Sequence, residues 1–129
     1  MNPFVNRLRT LSVFPVKTLY VTVDTEATLV TYGICPKIWK ALPCDGFILL
    51  NIANTAPATA TDAFTVNIDT CLTLSQVNST VASTSARALI NGAGDPMTNA
   101  EVTAGNRYLI YYNKNLGIFQ VVNYIPATA

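Results

Sequence analysis

Arg107-Tyr108-Leu109-Ile110-Tyr111-Tyr112-Asn113-Lys114-Asn115-Leu116-Gly117-Ile118-Phe119-Gln120-Val121-Val122-Asn123 is the stretch that decides the fold. Tyr108, Ile110 and Tyr112 share one side of an extended chain. Phe119 and Val121 share one side of the second run, with Ile118, Gln120 and Val122 on the other. Period two is what a β-strand produces, because successive side chains point to opposite faces. Between the runs lie two asparagines and a glycine able to take a positive φ, so a hairpin with a turn at residues 113–117 is expected. Tyr108, Tyr112 and Phe119 are expected in the core. Tyr111 and Tyr124 then pack across strands, or lie on a face open to a glycan or a neighbouring protein.

Working outward, Asn91-Gly92-Ala93-Gly94-Asp95-Pro96 is the densest turn signal in the chain. Residues 86–90 before it read as a short strand or a helical turn, and residues 99–103 after it as a helical turn or an edge strand. Residues 73–84, rich in Ser, Thr and Asn, hold no persistent period. Phe64, Val66 and Ile68 alternate in a strand over 63–68. Residues 53–62 are small and Ala/Thr-rich, but Pro57 and the β-branched threonines oppose a helix, so a loop is expected. The dense run 47–52 predicts a strand buried on both sides, paired antiparallel with 63–68 around that loop. Ile38-Trp39-Lys40, bracketed by Pro36 and Pro43, has no clear assignment. Trp39 is either an interface anchor or a plug at one end of the core. Leu19, Val21 and Val23 alternate in another strand, and residues 28–32 continue the β signal up to Gly33.

About seven short strands without a long amphipathic helix predict an all-β fold: a single-domain antiparallel β-sandwich or partly open barrel. The expected organisation is an N-terminal arm at 1–14, a β domain at 15–126 and a tail at 127–129. The arm combines Phe4 and Val5 with Arg7 and Arg9, too apolar for an idle tail. It and the Ala/Thr loop, with Thr59 and Thr61, are expected to touch neighbours. The candidate interface residues are therefore Phe4, Val5, Arg7, Arg9, Trp39, Thr59, Thr61, Tyr111 and Tyr124.

Half of the 129 residues are apolar and only 12% are charged, about half the usual share. Disorder does not fit that composition. A surface so poor in charge can be covered by a partner with little desolvation. The net charge is +1, without the basic stripe of a nucleic-acid binder, and no apolar run is long enough to span a membrane as a helix. Neither nucleic acid nor membrane is an expected partner.

Nothing points to catalysis. There is no histidine, which removes the commonest general base and neutral metal ligand. Cys35, Cys44 and Cys71 lack metal-ligand spacing. They are expected as free thiols, with a Cys35–Cys44 bridge across a hairpin as the alternative. Asp24 and Glu26 would share one side of a strand, where they could bind a cation, but solvated acids at a strand end are the plainer reading. Asp62, Asp69 and Asp95 are expected to cap turns. No enzymatic activity and no cofactor or metal are expected.

The segments Ala88-Leu89-Ile90-Asn91-Gly92, Pro96-Met97-Thr98 and Glu101-Val102-Thr103-Ala104-Gly105-Asn106-Arg107-Tyr108, followed by the hairpin closing at Gly117-Ile118-Phe119-Gln120-Val121-Val122-Asn123, resemble a β module of tailed-phage virion proteins. Together with residues 46–69 they look most like the small auxiliary, or head decoration, capsid proteins of crAss-like phages that infect gut Bacteroidales. The resemblance covers about two thirds of the chain. It implies a structural protein bound to the outer surface of a capsid lattice, stabilising contacts between major capsid subunits. The major capsid protein, and other virion proteins or further copies of the chain, are the implied partners. The virion is the implied location, after assembly in the bacterial cytoplasm. A head-fibre, tail or neck component, or a carbohydrate- or receptor-binding module, is the alternative.

Overall fold

The computed structural model describes residues 13–70 and 86–127. The described elements are β1 (Phe14–Lys17), β2 (Tyr20–Asp24), β3 (Leu29–Gly33), α1 (Pro36–Ala41), β4 (Asp45–Asn51), β5 (Thr65–Asp69) and β6 (Arg87–Ile90). A 3-10 turn (Asn99–Glu101), β7 (Arg107–Asn113) and β8 (Ile118–Ile125) follow. Residues 1–12 and 73–84, including Phe4, Val5, Arg7 and Arg9, and Cys71 lie outside the described residues.

The strands form one eight-stranded sheet in the order β1-β4-β7-β8-β6-β5-β3-β2. β1 and β2 are its two edges, yet only two residues separate them in the chain. Those residues hold both edges: Thr18 N–H donates to Asn51 O of β4 at 3.0 Å, and Leu19 N–H donates to Gly33 O of β3 at 2.8 Å. The sheet must therefore curl until its edges approach, which gives a half-barrel. Thr18, buried at this corner, donates its hydroxyl to Asn54 Oδ1 and accepts from Ala53 N–H.

The all-β, partly open architecture holds, with two corrections. The sheet is mixed: β1/β4, β3/β5 and β6/β8 run parallel. The expected pairing of the two strands around the Ala/Thr loop is absent as well. β4 pairs with β1 and β7, whereas β5 pairs with β3 and β6. The residues after β4 cross the end of the half-barrel instead of turning back. Ile52 N–H donates to Asn106 O, and Asn99 Nδ2 donates to the carbonyls of Ala60 and Thr61.

The core lies on the concave side. Val16, Val23, Val30, Tyr32, Ile48, Leu50, Val66, Ile68, Leu89, Tyr108, Ile110, Tyr112 and Phe119 are buried, each at the inward position of its strand. The hairpin β7–β8 matches its sequence reading, with Tyr112 opposite Phe119. Past Ile110 the register shifts: Ile110 pairs with Val121 and Leu109 with Asn123, so Val122 is an extra, bulged residue.

Two side chains, buried Tyr20 and half-buried Lys114, hold the ends of this core. The Tyr20 ring packs over Gly33, and its hydroxyl donates to Asp69 Oδ2 at 2.6 Å. Asp69 is thus a buried partner at the end of β5 and not the turn cap expected. At the other end the segment left unassigned is α1. Lys114 Nζ donates to the carbonyls of Trp39 at 2.6 Å and Leu42 at 2.8 Å, acceptors at the C-terminal end of so short a helix.

Candidate interaction surface

Strand alternation places Pro15 and Lys17 of β1, Phe47, Leu49 and Asn51 of β4, and Arg107, Leu109 and Tyr111 of β7 on the convex side. Register arranges them in rows. Lys17, Asn51, Arg107 and Ile125 form one, and Pro15, Leu49, Leu109 and Asn123 the next. Phe47 faces Tyr111 in a third, with ring centroids 5.6 Å apart.

The middle row is apolar and open. Val13, Leu49, Leu109, Asn123, Tyr124 and Ile125 line a groove of about 280 Å³. Val13 is 42% exposed and Ile125 is 51% exposed. The run 47–52 is therefore corrected: Ile48, Leu50 and Ile52 are buried, but Phe47 and Leu49 are only half covered. Among the described residues nothing completes their burial.

Beside the groove, and sharing Leu49 with it, is a hollow of similar size lined by Pro15, Val16, Lys17, Leu49, Asn51 and Arg107. Lys17 and Arg107 are both exposed and flank Asn51 from either side. Two strand spacings, about 10 Å, separate their backbones. The lining contains no acid, and neither cation forms an ion pair among the described residues.

The sequence-predicted site residues are not gathered there. Trp39 is the plug: its ring lies 5.2 Å from those of Tyr112 and Phe119, and Lys114 Nζ sits 4.8 Å from its centroid. Tyr111 packs across strands against Phe47. Tyr124 is 54% exposed, stacked on Tyr108, and borders the groove. Thr59 and Thr61 are exposed on a loop pinned to the 3-10 turn, away from the convex rows. Sequence reading missed Lys17, Leu49, Arg107 and Leu109, because only strand register brings them together.

The chemical candidates dissolve into local structure. β2 ends at Asp24, so Glu26 lies in the turn and not on a shared strand face. Asp24 Oδ1 accepts from the backbone N–H groups of Glu26 and Ala27. Asp95 sits in the predicted turn at 91–96, but the capping oxygen there is Asn91 Oδ1, which accepts from Ala93 and Asp95 N–H. Cys35 and Cys44 are free thiols on either side of α1. Among the described residues no three His, Cys, Asp or Glu side chains are grouped to hold a metal ion. No described helix is long and apolar enough to cross a membrane.

No family model, curated protein or solved structure matches the chain.

Proposed function

We propose that the chain is a structural virion protein of a tailed phage, bound to the outside of the capsid lattice and stabilising contacts between major capsid subunits. The observation that carries a binding role is the half-covered convex face of β1, β4, β7 and β8. An apolar row and two unpaired cations stand there without a partner among the described residues. Its assignment to a capsid rests on the resemblance of residues 46–123 to auxiliary capsid proteins. The low charge of the chain suits the role, since few groups lose hydration when a partner covers them. A ligand that binds only the mature lattice stabilises that state by mass action.

Adding the purified chain to precursor and to expanded capsids of the source phage tests the reading. Sedimentation with expanded capsids only is the expected result. Sedimentation with neither, or equally with both, contradicts it.

One observation favours a second reading, glycan binding: Tyr124 offers an exposed aromatic ring already fixed by stacking on Tyr108. That reading requires saturable glycan binding, abolished in Tyr124→Ala.

A further inference from the structure

The convex face is specific about what can cover it. It joins an apolar groove to two cations that flank a neutral Asn51, with no acid in either lining. A purely apolar cover would leave Lys17 and Arg107 desolvated and unpaired, which is unfavourable. No side chain of the undescribed residues 1–12, 71–85 and 128–129 supplies the missing negative charge. All seven acids, Asp24, Glu26, Asp45, Asp62, Asp69, Asp95 and Glu101, lie among the described residues. Residues 1–12 carry two arginines and no acid, and residues 71–85 carry no charge at all.

We propose that this face docks an extended segment of a partner protein whose apolar side chains fill the groove over Leu49 and Leu109 and whose carboxylates pair with Lys17 and Arg107. Opposite-sign charge sets register and encounter rate, while the apolar row supplies the burial. The segment lies across the rows and does not extend the sheet as an added strand beside β1. That edge is four residues long and contains Pro15, which has no N–H to donate, and Lys17, a charge of the kind that blunts sheet edges. The proposal names the partner chemistry of the surface described above and relies on the capsid reading only for there being a partner.

Titration of the isotope-labelled full chain with two capped hexapeptides tests it by amide chemical shifts. One alternates leucine with aspartate, and the other alternates leucine with lysine. The aspartate peptide is expected to shift Lys17, Leu49, Asn51, Arg107, Leu109 and Ile125. Its affinity should fall with added salt and drop about tenfold or more in Lys17→Glu/Arg107→Glu. Both side chains are exposed, and an unchanged melting temperature would show that the variant folds. Equal binding of the lysine peptide, shifts centred elsewhere, or no shift with either peptide overturns the proposal. So does concentration-dependent broadening of the same residues without peptide, which makes a second copy the occupant. A silent titration alongside selective sedimentation with expanded capsids removes the acidic segment and leaves the capsid reading. Peptide binding without sedimentation does the reverse.

Discussion

A methyl group on Gly33 would lie 1.8 Å from Cε1 of Tyr20, inside a ring fixed at its far end by the bond to Asp69. The ring cannot yield without losing that bond, so Gly33→Ala should cost about 3 kcal/mol in denaturant unfolding. Gly92 has open space around its Cα, and Gly92→Ala should change stability by less than about 0.5 kcal/mol. Equal effects of the two would refute the Tyr20 lock. Tyr32 makes a different prediction. Burial, with Tyr108 adding to it, pushes its phenol up from 10.0 to about 12. The folded value lies above the unfolded one, so the folded state holds this proton more tightly. Its contribution is complete below pH 10 and is lost as pH rises towards 12, amounting to about 2–3 kcal/mol. Unfolding midpoints measured across that window should fall, and Tyr32→Phe should flatten the fall.

At the scale of elements, the segment joining the 3-10 turn to β7 is tied by one hydroxyl. Tyr108 Oη donates to Glu101 O and accepts from Thr103 N–H and Asn106 Nδ2, while Gly105 between them takes φ +90°. Tyr108→Phe should therefore cost about 1–3 kcal/mol in urea unfolding, because it strips partners from partly buried peptide groups. Lys114→Met should cost about 1–2 kcal/mol by the same measure, through the two carbonyls at the end of α1. Val102, buried, Gly105 at positive φ and the Tyr108 hydroxyl thus together hold the shape of this segment. The hairpin was legible because its signals are local: period two, then Asn and Gly at the turn. α1 was not, since six residues with Pro36 at the start are held by a lysine over seventy positions away. β1 was not legible either, since four residues that include Pro15 offer too short an alternation to mark a strand. No local pattern marks a parallel pairing, so the three parallel pairs could only be found in three dimensions.

For the whole molecule, curling the sheet sorts the apolar residues into two sets. The concave set makes the core, and the convex set, led by Leu49 and Leu109, stays half covered. The sequence reading sensed this surplus in the run 47–52 but assigned it to burial within the chain. Trp39 and Tyr111, for which the sequence left packing and interface roles open, are found packed against Tyr112 and Phe119 and against Phe47. If the convex face meets a capsid lattice, the chain must be present wherever that lattice repeats. The measurement is quantitative mass spectrometry of purified, DNA-filled virions from the source, with the chain's abundance set against the major capsid protein. Copies on the scale of the major capsid protein are predicted. Absence from the virion, or only the few copies of a single vertex, neck or tail, would contradict the account.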